Sequence, residues 1–393
     1  MNIICIAIKY LGTPYEFEAN GFRPGEKMDC SRFIQLVMNE LGINISRITT
    51  KQLKQGKEIN KNNMIIGDCI YFDYGNGIED IGLYIGNNKM IHNSPTQGKV
   101  IEENINSDKY IKTIRRFSPK YRKGEIILQT RTHLKYIDKS CRFLLYDYNG
   151  NGVMDLFCIK NSDDRTAVHI LNGANLYQSS LLPVKTVLEN YDEKWEFKIG
   201  KYEKGKPALF CIKKNNTDSK TTEIHILDGN NEYQTFLLRT NTVLQETDDN
   251  WDFVVDNYNK SELADVYCIH KKNTQSKKIE IEILVGDGCY QSFLPPKIIT
   301  ALHETDNNWE FLLRDYNHDG KPDLYCINKK GENNSTEVKI LNGDSYFQEF
   351  ILDIKLDFYS IDNFQFCAGA YNGYECIFGI KKNEILEIYA FFI

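Results

Sequence analysis

A unit of 53 to 58 residues recurs along the last two thirds of the chain, and no other feature constrains the fold as much. DYNGNGVMDLFCIK at 147–160 returns as DYNHDGKPDLYCIN at 315–328, with weaker copies GKYEKGKPALFCIK at 200–213 and NYNKSELADVYCIH at 257–270. Gln178, Gln234, Gln291 and Gln348 keep the period, as do Trp195, Trp251 and Trp309. Each copy reads as four short β-prone runs separated by turn residues, which is the pattern of a propeller blade. Phe143, Phe197, Phe253, Phe311 and Phe366 hold one repeat position, so five units are expected. The fifth stops before its fourth strand. EIILQTRTHLKYID at 125–138 aligns, at an offset of 54, with SSLLPVKTVLENYD at 179–192. A strand from the front of the repeat region, at 125–130, is therefore expected to complete the last unit and hide sheet edges that would otherwise be exposed. The expected architecture is an all-β five-bladed propeller over 123–393, with an open solenoid as the alternative.

The turn opening two of the copies is rich in oxygen. Asp147, Asn149, Asn151 and Asp155, and again Asp315, Asn317, Asp319 and Asp323, stand at positions 1, 3, 5 and 9, with a glycine at the bend. Hard cations such as Ca2+ take about six to eight oxygens at this density. Asx and glycine residues also build such turns without an ion. The third copy keeps Asn257, Asn259 and Asp265; the second, at 200–208, keeps none. These turns resemble the FG-GAP or VCBS repeats of integrin-α-like propellers, and the resemblance implies calcium in the two intact loops.

Charge divides the chain. Residues 1–124 carry 18 Lys+Arg against 13 Asp+Glu; the remainder carries 30 against 41. The acidic repeats argue against nucleic acid as a partner, and the basic excess in front suits an anionic ligand or a solvated face. No apolar run reaches membrane-spanning length. The first residues lack a basic leader, so the expected location is a bacterial cytoplasm or signal-independent secretion, with the cell wall as target. Cys158, Cys211, Cys268 and Cys326 sit at one repeat position, which suits buried free thiols better than disulfides.

Residues 1–122 lack the repeat. DCSRFIQLVMNELG places Phe33, Val37, Met38 and Leu41 at helical spacing, with Asp29 or Ser31 as the cap. Cys30 then sits at a helix N-terminus, where the macrodipole favours a thiolate. YLGTPYEF, MDCSRFIQLV, IGDCIYFDY, IGLYIGNNKMIH and RRF at 115–117 follow the order seen in the NlpC-type cell-wall peptidases, which this segment resembles. The resemblance implies a papain-like α+β domain acting on peptidoglycan stem peptides. It implies Cys30 as nucleophile, Tyr15 at the substrate or oxyanion, and Asp29 and Ser31 at the substrate's amino-terminal side. His92 matches the polar residue that orients the catalytic histidine. Where the family places that histidine, this chain has Asp80.

Three readings follow. A cysteine peptidase could work with exchanged roles, His92 as base and Asp80 as its orienting group. The domain could bind peptide or glycan without cutting, with the propeller recognising glycan, cell wall or a protein partner. Cys30 could be a structural remnant. An effector acting on another cell's wall would share the first chemistry. No zinc spacing and no phosphate loop is present, so no catalytic cofactor is expected.

Overall fold

A computed structural model describes residues 3–75, 77–105, 108–117, 121–135, 140–258, 263–359, 364–371, 373–383 and 385–393. The chain divides into two compact units. The first is Met1–Arg122 with Gly150–Val153 and Ala370–Tyr374; the second is the rest.

The first unit carries helices α1 (Ile3–Ile8), α2 (Cys30–Glu40) and α3 (Thr49–Gln52). Its strands are β1 (Lys57–Glu58), β2 (Cys69–Asp73), β3 (Ile78–Gly86), β4 (Lys89–Ser94), β5 (Lys99–Asn104) and β6 (Ile111–Arg116), in the sheet order β1-β6-β2-β3-β4-β5. Helix α2 begins where Asp29 accepts a hydrogen bond from Arg32 N, satisfying one of the orphan donors of the first turn. Its apolar stripe, Phe33, Ile34, Val37 and Met38, is buried together with Ile81, Leu83 and Ile91 of the sheet. The helix packs on β3 and β4. That packing sets its N-terminal cysteine at the middle of the sheet.

Among the described residues the second unit holds five four-stranded sheets. Each of the first four is a run of consecutive strands; the first strands are Arg142–Tyr146, Trp195–Gly200, Trp251–Asp256 and Trp309–Arg314. The fifth takes Phe364–Tyr371, Tyr374–Lys381 and Ile385–Phe392, and its fourth strand is β7 (Ile126–Lys135). In register, Leu128 faces Ala390 and Thr130 faces Ile388.

The repeat positions have common duties. Phe143, Phe197, Phe253 and Phe311 pair across the strands with Cys158, Cys211, Cys268 and Cys326. These four thiols are buried and free. The same positions recur in successive cores between sheets: Phe197 with Cys211 and Tyr233, then Phe253 with Cys268 and Tyr290, then Phe311 with Cys326 and Phe347. The first strands of sheets one to four are neighbours in order. Phe366 N donates to Glu310 Oε2 (2.7 Å), and Gln365 exchanges hydrogen bonds with the backbone of Phe143 (3.1 and 2.6 Å). Sheet five therefore touches both sheet four and sheet one.

The periodic glutamines tie the outer strands. Gln178 Nε2 donates to Arg131 O, Gln234 to Lys185 O, Gln291 to Asn241 O and Gln348 to Ile299 O. Each reaches the last strand of the preceding sheet, and Gln178 reaches the closing strand β7. These bonds occupy carbonyls that an edge strand would otherwise present to water or to another chain.

Candidate active site

Cys30 is the first residue of α2, preceded by its cap Asp29 and followed by buried Ser31. Asp80 lies on β3 and His92 on β4, where His92 faces Gly82 across the strands. The pleat puts Asp80 and Gly82 on one face, so the carboxylate and the imidazole meet. His92 Nδ1 is 2.6 Å from Asp80 Oδ2, and both side chains are about as buried as core residues. His92 Nε2 lies 3.0 Å from Glu103 Oε1, inside ion-pair range though outside hydrogen-bond geometry. Both ring nitrogens thus face carboxylates. Burial opposes charge on this ring most strongly, but the hydrogen bond and field of Asp80, with Glu103 behind, outweigh it and raise the His92 pKa.

The thiol is in a different position. Burial, then the carboxylates of Asp80 and Asp29, push Cys30 up to about 12. The backbone N–H groups of Ser31 and Ile81 pull the other way and lose. Burial and these carboxylates thus outweigh the helix dipole at this sulfur. Asp80 is the strongest charge the sulfur feels. Tyr15 shares the neighbourhood: burial and the fields of Cys30, Asp29 and Asp80 raise its phenol.

The expected residues are therefore brought together at the start of α2. The carboxylate acts on the sulfur, and the imidazole stands with its nitrogens turned to Asp80 and Glu103. Residues the sequence did not point to complete the site. Arg47 binds Asp29 and Ser31 (2.7 and 2.6 Å). Gln52 Nε2 donates to Ser31 O (3.1 Å), and Asn93 Nδ2 donates to Met28 O (2.7 Å). Arg47 lies 18 positions from Asp29, with no periodic or motif signal linking them. Glu103 is one of two carboxylates on β5, and only the pairing of β4 with β5 brings it to His92.

In the oxygen-rich turns several of the side-chain oxygens accept from backbone N–H groups. Asp155 accepts from Tyr148 N and Gly173 N (3.1 and 2.8 Å), and Asp323 accepts from Tyr316 N and Gly343 N (2.9 and 2.8 Å). Asp265 does the same with Tyr258 N and Gly286 N (3.1 and 2.9 Å). This aspartate staples its turn to the end of the third strand. Burial pushes Asp155 up to about 6 against the pull of those N–H groups. Asp315 accepts from Asp319 N and Gly320 N, and Asn151 Oδ1 accepts from Val153 N. Asn317 turns its amide nitrogen to Asp319 Oδ2 (2.8 Å). In the ligand-free turn, Asn230 Oδ1 takes over by accepting from Lys206 N (2.9 Å). Asn257 is in the described part of the third turn, and Asn259 lies outside the described residues. Among the described residues no group of three or more His, Cys, Asp or Glu side chains is placed to hold a metal. No helix among them is long and apolar enough to cross a membrane.

The NlpC/P60 family model matches residues 12–118, so an NlpC/P60 domain occupies that segment. Over 85 residues the chain is 36% identical to a probable endopeptidase p60 of Listeria grayi, covering 22% of this chain and 16% of that protein. Over 75 residues it is 36% identical to the murein DD-endopeptidase MepS/murein LD-carboxypeptidase of Escherichia coli K12, covering 19% of this chain and 40% of that one. An NlpC/P60 family protein from Bacillus cereus ATCC 10987 is 27% identical, with 30% of this chain and 40% of that chain covered and a TM-score of 0.28. The chain thus spans less than half the length of each of these relatives.

Proposed function

We propose that the NlpC/P60 domain binds a peptidoglycan stem peptide and holds it without cutting, and that the five sheets form a five-bladed propeller serving recognition. One observation carries the first part: both ring nitrogens of His92 face carboxylates, Asp80 at 2.6 Å and Glu103 at 3.0 Å, while Asp80 also acts on the Cys30 sulfur. Thiol attack on an amide requires a thiolate or an acceptor for its proton. A carboxylate beside the sulfur opposes the thiolate, and His92 is engaged elsewhere. The relatives' names supply the substrate class. For the propeller, support comes from the cyclic contacts of the first strands and from β7 completing sheet five.

A digest tests this. Muropeptides incubated with the protein and with Cys30→Ala stay intact in both, while calorimetry shows that both proteins bind them. Product that depends on Cys30 in the unmodified protein sinks the binding-only reading. It would establish the second reading, a cysteine peptidase with exchanged roles. That reading draws on the 2.6 Å contact between His92 Nδ1 and Asp80, the orienting bond it requires.

Calcium is a proposal for the turns at 147–155 and 315–323, on the spacing of their oxygens. As arranged, these side chains accept from their own backbone, so binding would require Asp315 and Asn151 to exchange hydrogen bonds for ion contacts. The proposal expects Ca2+ to raise the melting temperature by several degrees and a chelator to reverse the rise. A melting temperature unmoved by either removes the ion.

A further inference from the structure

At the last residue of each first strand the repeat stops repeating. In sheets one to four that residue is Tyr146, Gly200, Asp256 and Arg314; Gly369, three places after Phe366, matches it in sheet five. Three places earlier every copy has phenylalanine, and two places later Tyr148, Tyr202, Tyr258 and Tyr316 keep one type. Those positions have one packing duty each. Here two copies have no side chain and three carry a phenol, a carboxylate and a guanidinium. The three polar groups share one neighbourhood, although they come from sheets one, three and four. Burial first, then the carboxylates of Asp256 and Asp147, raise the Tyr146 phenol, while Arg314 lowers it. Burial likewise raises Asp256, against the N–H of Asn257 and the charge of Arg314.

The second strands depart from the period in the same two sheets. The residue before the periodic cysteine is Phe157, Phe210, Tyr267 and Tyr325 in sheets one to four. All four rings are buried, so packing needs the ring and not the hydroxyl. The hydroxyls occur only in sheets three and four, the two whose first strands end in a charge. Neither hydroxyl has a hydrogen-bond partner among the described residues. A buried hydroxyl left so is a cost that the phenylalanine copies avoid. After burial, the group acting most on Tyr267 is Asp256, and the group acting most on Tyr325 is Glu375, the partner of Arg314. The two hydroxyls therefore stand behind the two charged groups.

Those charged groups have bonding capacity to spare. Arg314 gives Nε and Nη2 to Glu375 (2.5 and 3.2 Å), and its side chain is 30% exposed. Its Nη1 makes no bond among the described residues. Asp256 accepts from Asn257 N at one oxygen (2.7 Å) and has the other to offer. Tyr146 is half-buried, and its hydroxyl has no partner among the described residues. Asp256 asks for a donor, Arg314 for an acceptor, and Tyr146 serves either. An ammonium has no acceptor for Arg314, and a carboxylate or phosphate has no donor for Asp256. A hydroxyl is donor and acceptor at once.

We propose that Tyr146, Asp256 and Arg314 form a binding site for a neutral sugar with adjacent hydroxyls, and that Tyr267 and Tyr325 are positioning residues behind it. The proposal rests on the recognition role given above to the five sheets, and it supplies the ligand class for that role.

The experiment uses the full chain and the methyl glycosides of glucose, galactose, mannose and N-acetylglucosamine, followed by saturation-transfer NMR and calorimetry. At least one is expected to bind with a Kd in the millimolar range or tighter. Asp256→Asn keeps the shape and removes the charge, and is expected to weaken that sugar about tenfold or more. Tyr267→Phe and Tyr325→Phe install the residue that sheets one and two already carry. Each is expected to weaken the sugar about threefold and to leave the melting temperature unchanged or higher. A fall of several degrees in both would show that the hydroxyls serve the fold, and overturns their role here. Binding that ignores all three substitutions overturns this site and leaves the recognition role standing. Binding of no glycoside overturns this inference alone, because a protein partner would still fill that role. Tighter binding of methylammonium or acetate than of any glycoside overturns the neutral ligand.

Discussion

Asp80→His is expected to raise Cys30-dependent cleavage of stem peptide about 10²–10⁴-fold above the unmodified protein. The substitution changes two things at once. It removes the carboxylate that, after burial, does most to raise the Cys30 thiol. It also places an imidazole with an ordinary pKa near 6.5 on the strand position that acts on the sulfur. The rest is in place: the Ser31 and Ile81 N–H groups already favour the thiolate, and His92 Nδ1 already reaches the position 80 side chain. Asp80→Asn separates the two effects. It removes the charge without supplying a base, so alkylation of Cys30 should quicken while the peptide stays whole. Asp80→His/Cys30→Ala should be inert. A folded Asp80→His protein with an unreactive thiol and no cleavage would show that Asp80 is not what limits the thiol.

Leu128→Asp is expected to lower stability by about 3 kcal/mol or more, because it buries an unpaired carboxylate in the strand that completes sheet five. Leu128 is 8% exposed and faces Ala390 in register. Its strand is also held by Gln178 at Arg131 O and by the ion pair of Arg131 with Glu387 (3.0 Å). Loosening β7 would uncover the edge of Ile385–Phe392, whose unpaired backbone is a template for association. Aggregation on heating should therefore accompany the lower melting temperature. Gln129→Ala supplies the control: Gln129 is exposed on the same strand and gives up only the hydrogen bond from its Nε2 to the Tyr389 hydroxyl (3.2 Å), so it should cost about 0.5–1.5 kcal/mol. Equal effects from the two substitutions would mean that closure by β7 contributes little.

The repeat was legible because it is local. A unit of four antiparallel strands needs only alternation and turns within some 55 residues, and the periodic Phe, Cys, Trp and Gln positions mark the same duty each time. Even the partner of Ile385–Phe392 could be sought by offset, since a missing fourth strand has a sequence of known pattern. The glutamines were visible as a period, but not as bonds to the preceding sheet, because their acceptors are backbone carbonyls that no side chain advertises. The acidic turns show the limit on the other side. Their oxygens were legible in the sequence, but that the ninth-position aspartates accept from backbone N–H groups just past the end of the adjacent third strand was not.

At the candidate site the sequence determined which groups are present: a capped cysteine at a helix start, an aspartate where the family has histidine, and one histidine two strands' length away. The tertiary structure decided what each group does to its neighbour. Electrostatic effects depend on distance and burial, and neither is encoded in spacing along the chain. Packing α2 against β3 and β4 set Asp80 to act on the sulfur. Pairing β4 with β5 turned the outer nitrogen of His92 to Glu103. Folding of residues 19–47 across the helix start brought Arg47 onto Asp29. The identity of the residues came from the sequence; the thiol's reluctance to ionise and the filled carboxylate beside it came from the fold.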